Sequence, residues 1–318
     1  MKKPEKKKKV KKEEQGGGTT VALPGPPPKG NYGDGAEFDK IKYLEAKLIL
    51  KPDRFTSVDG FREFGQAMQA TAKKVGVGFI ADPNTSRRPE IREIIFVDTP
   101  DFRLYNNSFI LRRRISYVDG FPVGDPEIVF KFRSEDRDAA IALDVRPKIA
   151  GKYRIKLKAQ AMPLKDQVGG MRILFSHNCQ FGISQAHDAD KTSMSTLLHV
   201  FPALAALKTV PNEKVSLVNG GIVEEVLLPL GQLDFKRGII AKCDVSLWRS
   251  RGDHMPLIGE FGFQVRFEDA EEVGMKSRNL ARQFFIALQH DVQHWMALGT
   301  TKTGTVYRMK GYKPESDE

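Results

Sequence analysis

The chain has 318 residues, of which 40% are hydrophobic and 9% aromatic, which is enough to bury a substantial core in one large domain or two small ones. Its longest apolar stretches are far shorter than the roughly 18 to 20 residues that cross a bilayer, and its first residues are lysines where a secretory signal would be apolar. Cys179 and Cys243 lie too far apart in sequence to indicate a disulfide framework or a Cys-rich zinc site. We therefore expect a cytoplasmic globular protein without a membrane span.

Positive charge is concentrated at the N-terminus. The chain carries 51 Lys and Arg against 40 Asp and Glu, a formal net charge of +11. Residues 1–14 contribute +5 of this charge through 8 lysines and 3 glutamates, which leaves +6 for the rest. A mildly basic body is typical of a solvated cationic surface, and it also permits an anionic ligand.

The first 38 residues are predicted to be a disordered arm, because a Lys-rich stretch followed by Gly- and Pro-rich sequence has too little apolar surface to offset the entropy of ordering. The folded domain is expected at 39–313 and an acidic tail at 314–318. We interpret residues 6–12 as a solubilising segment that contacts polyanions such as nucleic acid nonspecifically. A nuclear-localisation or nucleic-acid patch is the alternative if the source is eukaryotic, and a nuclear location would then follow.

Period-two alternation of apolar and polar residues predicts a protein made mostly of strands. The predicted strands are 41–51, 92–98, 108–118, 126–133, 139–146, 152–161, 170–176, 213–218, 221–228, 238–249 and 256–267. Helices are predicted at 57–75, 193–208 and 271–298. This content indicates an α+β domain with a curled or closed sheet.

The polar faces of several predicted strands are unusually cationic. Their members are Arg112 and Arg114, then Lys131 and Arg133, and then Arg154, Lys156 and Lys158. On any single strand, such a face is typical of a sheet surface in solvent. Because the pattern recurs, a second interpretation is a closed sheet whose polar faces line a wet interior that holds counter-charges or an anion.

Acidic residues share these faces. Glu45 lies beside Lys47, Asp144 beside Arg146, Asp244 beside Lys242, and Glu260 two residues before Gly262. Carboxylates mixed with cations around a wet cavity suit a metal-bridged polyphosphate.

The stretch 97–114, VDTPDFRLYNNSFILRRR, resembles the signature of the CYTH superfamily, or triphosphate tunnel metalloenzymes, in which Asp-Thr-Pro-Asp precedes Leu-Arg-x-Arg. Four shorter matches fall in the expected order along the chain. Leu44–Lys47 resembles the family's first strand, Glu-x-Glu-x-Lys, and Phe130-Lys131 resembles a lysine-bearing strand. Glu260–Gln264 resembles a late acidic strand, and Thr301-Lys302 resembles a closing Ser/Thr-Lys segment. The resemblance covers about 41–312, with an inserted region at about 150–240.

The resemblance implies an antiparallel eight-stranded tunnel barrel with flanking helices, and an activity like that of thiamine triphosphatases, inorganic triphosphatases or class IV adenylyl cyclases. It further implies roles for individual residues. Phosphate would be bound by Lys47, Arg112, Arg114, Lys131, Arg133 and Lys302. Mg²⁺ or Mn²⁺ would be held by Glu45, Asp244 and Glu260, with Glu45 and Lys47 as the catalytic residues.

Three positions depart from the family pattern. Tyr43 stands where the first Glu is expected, and Gly262 and Gln264 stand where further carboxylates are common. A hard dication prefers anionic oxygen ligands. The site therefore lacks some of the carboxylates expected to bind metal, while it keeps the Lys and Arg residues expected to bind phosphate. Two functions stay open: binding of a triphosphate or polyphosphate with metal-dependent hydrolysis, and a noncatalytic module for polyphosphate, RNA 5′ ends or another polyanion.

Other residues that can carry chemistry have simpler explanations. His290 and His294 have the i, i+4 spacing of zinc hydrolases, but Asp291 replaces the general base and a helix surface is favoured. The segment 187–191, HDADK, is interpreted as a solvated loop. Packing or capping accounts for His177 and Cys179, and core positions for Trp248 and Trp295.

Overall fold

The computed structural model describes residues 40–83, 88–149, 151–183, 193–207, 212–268, 271 and 273–316. The predicted arm at 1–38 and the predicted loop at 187–191 lie outside these ranges. No helix among the described residues has both the length and the apolar character needed to span a membrane.

Within these ranges, eleven strands form one sheet. They are β1 Tyr43–Leu50, β2 Gly78–Ala81, β3 Glu90–Asp98, β4 Phe109–Val118, β5 Phe121–Ser134, β6 Arg154–Met162, β7 Arg172–Gly182, β8 Ser216–Leu217, β9 Val223–Asp234, β10 Ile240–Ser250 and β11 Pro256–Arg266. The order is β2-β9-β10-β11-β1-β6-β7-β5-β4-β3-β8, and β3 also pairs with β9. This last pairing closes the sheet into a barrel.

The closed ring contains nine strands, with β2 and β8 attached outside it. The tunnel-barrel fold expected from the sequence is therefore confirmed, although the ring has one strand more than the expected eight. An odd ring cannot be antiparallel throughout, and here β1 and β6 pair in parallel while the other neighbours pair antiparallel. The predicted insertion at 150–240 contributes β6, β7 and β9 to the ring.

In the described part of the chain, six α-helices accompany the barrel: α1 Val58–Val75, α2 Arg103–Asn106, α3 Arg137–Ala142, α4 Met194–Val200, α5 Met275–Asp291 and α6 Lys302–Tyr307. Most predicted strands are confirmed, but the strand at 139–146 is wrong. Asp136 accepts hydrogen bonds from the backbone N–H of Asp138 and Ala139 and so starts α3 there. Asp144 and Arg146 follow on irregular backbone and pair with each other, away from the barrel interior.

The apolar cores lie mostly outside the barrel, between the sheet and its helices. The largest packs Phe61, Phe64 and Met68 of α1 and Phe284 of α5 against outward-facing strand residues. A second core lies under α4. A third fills one end of the barrel interior, where α6 packs through Tyr307 against Trp248 and its neighbours. Because the apolar faces point outward, the polar faces must point inward.

Candidate functional site

The inward-facing polar residues line a tunnel of about 510 Å³. Its closed end is apolar and lies under α6, where Ile49, Ile110 and Trp248 face inward. At the opposite end the side chains reach solvent, and Arg154 is 65% exposed there. Of the residues that the structure describes, eleven Lys or Arg and four Asp or Glu line the tunnel: Lys47, Arg92, Arg112, Arg114, Lys131, Arg133, Arg154, Lys156, Lys158, Lys242, Lys302, Glu45, Glu225, Asp244 and Glu260.

All the residues proposed from the sequence line this one cavity: Glu45, Lys47, Arg112, Arg114, Lys131, Arg133, Asp244, Glu260 and Lys302. The structure thus brings them together from β1, β4, β5, β10, β11 and α6. Their roles stay predictions, because placement in a tunnel does not by itself show binding or catalysis.

One side of the tunnel is cationic. We call it the cationic wall and define it as Arg112 and Arg114 of β4, Lys131 and Arg133 of β5, and Lys156 and Lys158 of β6. Arg114 is paired with Glu127 at 2.5 Å, whereas the buried Nε of Arg112 has no hydrogen-bond partner among the described residues. Burial and the neighbouring Arg114 lower the pKa of Arg112 to about 10.

A lysine with a lowered pKa, Lys156, lies at the mouth of the tunnel. Burial, followed by the charges of Lys158 and Arg154, lowers the pKa of Lys156 to about 8. Tyr43 is the first residue of β1, and the centroid of its ring lies 5.5 Å from the Lys156 Nζ and 5.7 Å from the Lys158 Nζ. Two ammonium groups beside one aromatic ring form a cationic, aromatic entrance.

The opposite side holds the carboxylates. We call it the acidic wall and define it as Glu45, Glu225, Asp244 and Glu260. Burial would raise the pKa of Glu45, but the charges of Lys47 and Lys158 hold it well below its usual range. Burial raises the pKa of Asp244 to about 7; Lys302 opposes this shift, while Glu225 and Glu260 reinforce it.

Each of three wall carboxylates is paired with Lys or Arg. Glu45 lies 3.6 Å from both Lys47 and Lys158 and accepts a hydrogen bond from Gln160. Glu260 lies 3.3 Å from Lys47. Glu225 lies 3.5 Å from Arg92 and accepts a 2.7 Å hydrogen bond from the Trp248 indole. These carboxylates are compensated by the protein itself.

Lys302 has a different environment from the one expected for a phosphate ligand. Its Nζ lies 2.9 Å from Glu225, 3.1 Å from Glu260 and 3.1 Å from the Ser246 hydroxyl. An ammonium has three N–H donors, so these contacts use all of them. A role for Lys302 in phosphate binding therefore stays a prediction; in this structure its ammonium contacts two carboxylates of the tunnel, Glu225 and Glu260.

The donor set does not fit the Mg²⁺ or Mn²⁺ site that the resemblance implies. No three Asp, Glu, His or Cys side chains among the described residues gather closely enough to hold a metal ion. Gln264 accepts a 2.7 Å hydrogen bond from Lys158, and Tyr43 lies at the mouth. Gly262 leaves unused space, since a Cβ there would meet nothing closer than the Ala46 carbonyl at 3.8 Å. The expected ligands Glu45, Asp244 and Glu260 line one tunnel without forming a metal cluster.

Sequence reasoning missed Glu225 and Arg92 and assigned no role to Lys156 and Lys158. The signal that the sequence offers for the two lysines is their place on one cationic strand face. Glu225 lies in a largely apolar strand and Arg92 near the start of β3, and neither belongs to a recognised motif. Only the β3–β9 pairing, which sets Arg92 opposite Glu225, shows that both face the tunnel.

The remaining candidates have structural surroundings. Helix α5 ends at Asp291 and His294 lies in the following 3-10 turn, so His290 and His294 do not share one helix. The ring of His177 contacts the Ala140 carbonyl at 3.1 Å, and Cys179 is buried in the core under α4. Trp295 is a core residue, as expected, whereas Trp248 is buried and also forms part of the tunnel's closed end.

No protein-family model matches the chain, and no curated protein matches it. Several solved structures align with it at low similarity. A Hippeastrum protein described as a proposed adenylyl cyclase with a dominant triphosphatase activity is 13% identical, and the alignment covers 86% of this chain and 98% of that one with a TM-score of 0.40. A Bacillus halodurans protein described as a proposed adenylate cyclase is 11% identical, with coverages of 83% and 95% and a TM-score of 0.34.

A Pyrococcus horikoshii protein is 14% identical, with coverages of 76% and 88% and a TM-score of 0.31. Similarity at this level carries no argument about function. The class of fold, a closed tunnel barrel of the kind implied by the CYTH resemblance, is instead defined by the strand pairings of this chain. The site within it is a tunnel with one cationic and one acidic wall.

Proposed function

We propose that the tunnel binds a triphosphate- or polyphosphate-bearing anion along the cationic wall. The observation that supports this function is the density of positive charge at Arg112, Arg114, Lys131, Arg133, Lys156 and Lys158 in one cavity. Burial and like-charge repulsion lower the pKa of Arg112 and Lys156. A bound polyanion removes that repulsion and supplies hydrogen-bond acceptors.

The residues of the cationic wall have distinct tasks in this proposal. Arg112 lies in the middle of β4, and its planar guanidinium group donates hydrogen bonds to phosphate oxygens. Lys131 and Lys158 act as point charges. Lys156 and Tyr43 lie at the mouth and contact the outermost phosphate or the group attached to it. The closed apolar end under α6 limits how far the anion enters.

Hydrolysis of the bound phosphoanhydride is the second candidate function, because four carboxylates lie in the same cavity as the cationic wall. Three of them are already paired with Lys or Arg. A noncatalytic binding module is therefore the simpler of the two functions.

One set of measurements tests both candidates. Tripolyphosphate is titrated calorimetrically into the full chain, with sulfate as the control anion, and phosphate release is assayed on tripolyphosphate, thiamine triphosphate and nucleoside triphosphates with Mg²⁺ or Mn²⁺. We expect saturable tripolyphosphate binding that is much tighter than sulfate binding. Absence of binding to every one of these anions would contradict the proposed function, and metal-dependent phosphate release would establish the enzyme.

A second prediction uses Lys156. Its pKa of about 8 means that this side chain is partly neutral in the free protein at pH 8. A bound polyanion favours the ammonium form and raises this pKa, so binding at pH 8 should take up protons, and the affinity should fall as the pH rises above 8. Calorimetry in buffers of different ionisation enthalpy measures the uptake.

The matched variant for this test is Lys156→Arg, since arginine stays charged throughout this pH range. The ligand's own titration is common to both proteins, so the difference between them reports Lys156. We expect the variant to lose part of the proton uptake and part of the pH dependence. Identical proton uptake by both proteins would show that Lys156 does not contact the anion.

A further inference from the structure

We propose that the Lys302 ammonium is a built-in cation that takes the place of a divalent metal between Glu225 and Glu260, so that the tunnel binds its anion without metal. The first half of this proposal concerns the acidic wall alone. The second half rests on the proposed function. The two halves are tested with different probes.

The position of Lys302 is fixed by the fold. It is the first residue of α6, directly after Thr301, whose hydroxyl accepts a hydrogen bond from the Gly304 N–H. At the other end of the helix, Tyr307 stacks on Tyr105 with 4.0 Å between ring centroids. The ammonium is therefore held at the closed end of the tunnel by a short, anchored helix.

The surroundings of the ammonium resemble a coordination shell. Oxygens of Glu225, Glu260 and Ser246 lie 2.9 to 3.1 Å from the Nζ, and the Trp248 ring centroid lies 4.6 Å from it. Three oxygen acceptors match three N–H donors, and the aromatic face covers a further direction. Glu225 and Glu260 come from β9 and β11, on either side of β10, so one cation bridges carboxylates from two strands.

A metal ion at this point would have to displace Lys302. Only 11% of the Lys302 side chain is exposed, so losing both carboxylates would leave a buried, unpaired ammonium, which is strongly unfavourable. Glu45, another carboxylate of the acidic wall, is also occupied, because it is paired with Lys47 and Lys158. The wild-type acidic wall should therefore bind divalent metal poorly.

The test uses Mn²⁺ alone, without any phosphate, and follows binding by the paramagnetic resonance signal of free Mn²⁺ and by calorimetry. We expect no saturable tunnel site in the wild type. Lys302→Gln removes the ammonium, retains a polar side chain and leaves Glu260 paired only with Lys47 and Glu225 only with Arg92. We therefore expect a gain in Mn²⁺ affinity of about ten-fold or more. Adding Glu260→Gln to that variant should abolish the gain.

The matched control is Lys74→Gln, which removes a lysine paired at 2.9 Å with the single carboxylate of Asp291 outside the tunnel. This variant should gain no Mn²⁺ site. A folded Lys302→Gln protein that gains none would overturn the proposal. If Lys302→Gln does not fold, Mn²⁺ binding to the wild type tests the proposal instead. A saturable Mn²⁺ site in the wild type that is lost in Glu260→Gln would overturn the proposal. The lack of a saturable site in the wild type would support it.

The second half is tested by titrating tripolyphosphate into the wild type with a chelator and with added Mg²⁺. Equal affinities, within about two-fold after correction for the complex of Mg²⁺ with free tripolyphosphate, support metal-independent binding. Binding that requires Mg²⁺ would contradict it. If tripolyphosphate does not bind under either condition, the proposed function fails while the Mn²⁺ result on Lys302 still stands.

Discussion

Replacing Arg112 by alanine is expected to weaken tripolyphosphate binding by about ten- to a hundred-fold, which corresponds to the roughly 1.5 to 3 kcal/mol of a hydrogen bond to a charged group. Arg112 lies at mid-tunnel on β4, and its buried Nε has no hydrogen-bond partner among the described residues. Its donors are therefore available to a ligand, and calorimetric titration measures the loss.

The same substitution should not destabilise the protein, because the pKa of Arg112 is lowered by burial and by Arg114. Removing a poorly compensated buried charge relieves that penalty, so the melting temperature should stay the same or rise. Arg112→Ala is thus expected to lower the affinity for tripolyphosphate without lowering the melting temperature. A destabilised variant would point to a structural role instead.

Two further variants test whether the loss of affinity is specific to the guanidinium group of Arg112. Arg112→Lys keeps the positive charge but loses the planar guanidinium group with its paired N–H donors. Its tripolyphosphate affinity should therefore lie between those of the wild type and the alanine variant. Arg266→Ala removes an arginine that is 63% exposed and pairs with Glu268 outside the tunnel, and it should leave the affinity nearly unchanged. If the folded Arg112→Ala protein binds tripolyphosphate as tightly as the wild type, the cationic wall is not the binding site.

The tunnel could be predicted from the sequence because strand alternation separates two faces without any knowledge of the fold. Arg112 and Arg114 share one face of β4, and Lys131 and Arg133 share one face of β5. Recurrence on successive strands indicated that these faces meet. Whether these polar faces form an outer surface or line an interior depends on closure of the ring, which the pairing of β3 with β9 provides.

The errors arose where short-range capping or long-range pairing decides the structure. Residues 139–146 alternate like a strand, but the Asp136 cap starts a helix there. The number of strands in the ring depends on the parallel pairing of β1 with β6, which no local pattern encodes. The surroundings of Lys302 depend on Glu225, which lies 77 residues away in sequence. Sequence patterns identified most of the charged side chains that line the tunnel, but not which of them pair with each other.

The Asp-Thr-Pro-Asp motif holds the barrel's closed end together rather than contributing to the tunnel lining. Asp98, the first Asp of the motif, is 1% exposed. Its carboxylate accepts hydrogen bonds from the backbone N–H groups of Thr99, Leu104 and Tyr105 at 2.7, 2.9 and 3.0 Å. It also accepts one from the Tyr307 hydroxyl at 3.0 Å. Asp98 therefore joins the start of α2 to α6, the helix that carries Lys302.

Replacing Asp98 by alanine is expected to lower the free energy of unfolding by about 3 to 5 kcal/mol, because three buried N–H groups and one hydroxyl lose their acceptor at once. Burial raises the pKa of Asp98 to about 6, so the side chain is ionised at neutral pH and its hydrogen bonds are charge-assisted. Urea denaturation at pH 7.5 measures the loss.

The second Asp of the same motif provides the control. Asp101 is 57% exposed on its side chain and bonds to Thr99 and Arg103 at the surface, so Asp101→Ala should cost less than about 1 kcal/mol. Tyr307→Phe removes only one of the four hydrogen bonds to Asp98 and should lie between the two, at about 1 to 2 kcal/mol. An Asp101 variant as unstable as the Asp98 variant would mean that the motif as a whole, and not the buried acceptor, stabilises this end of the barrel.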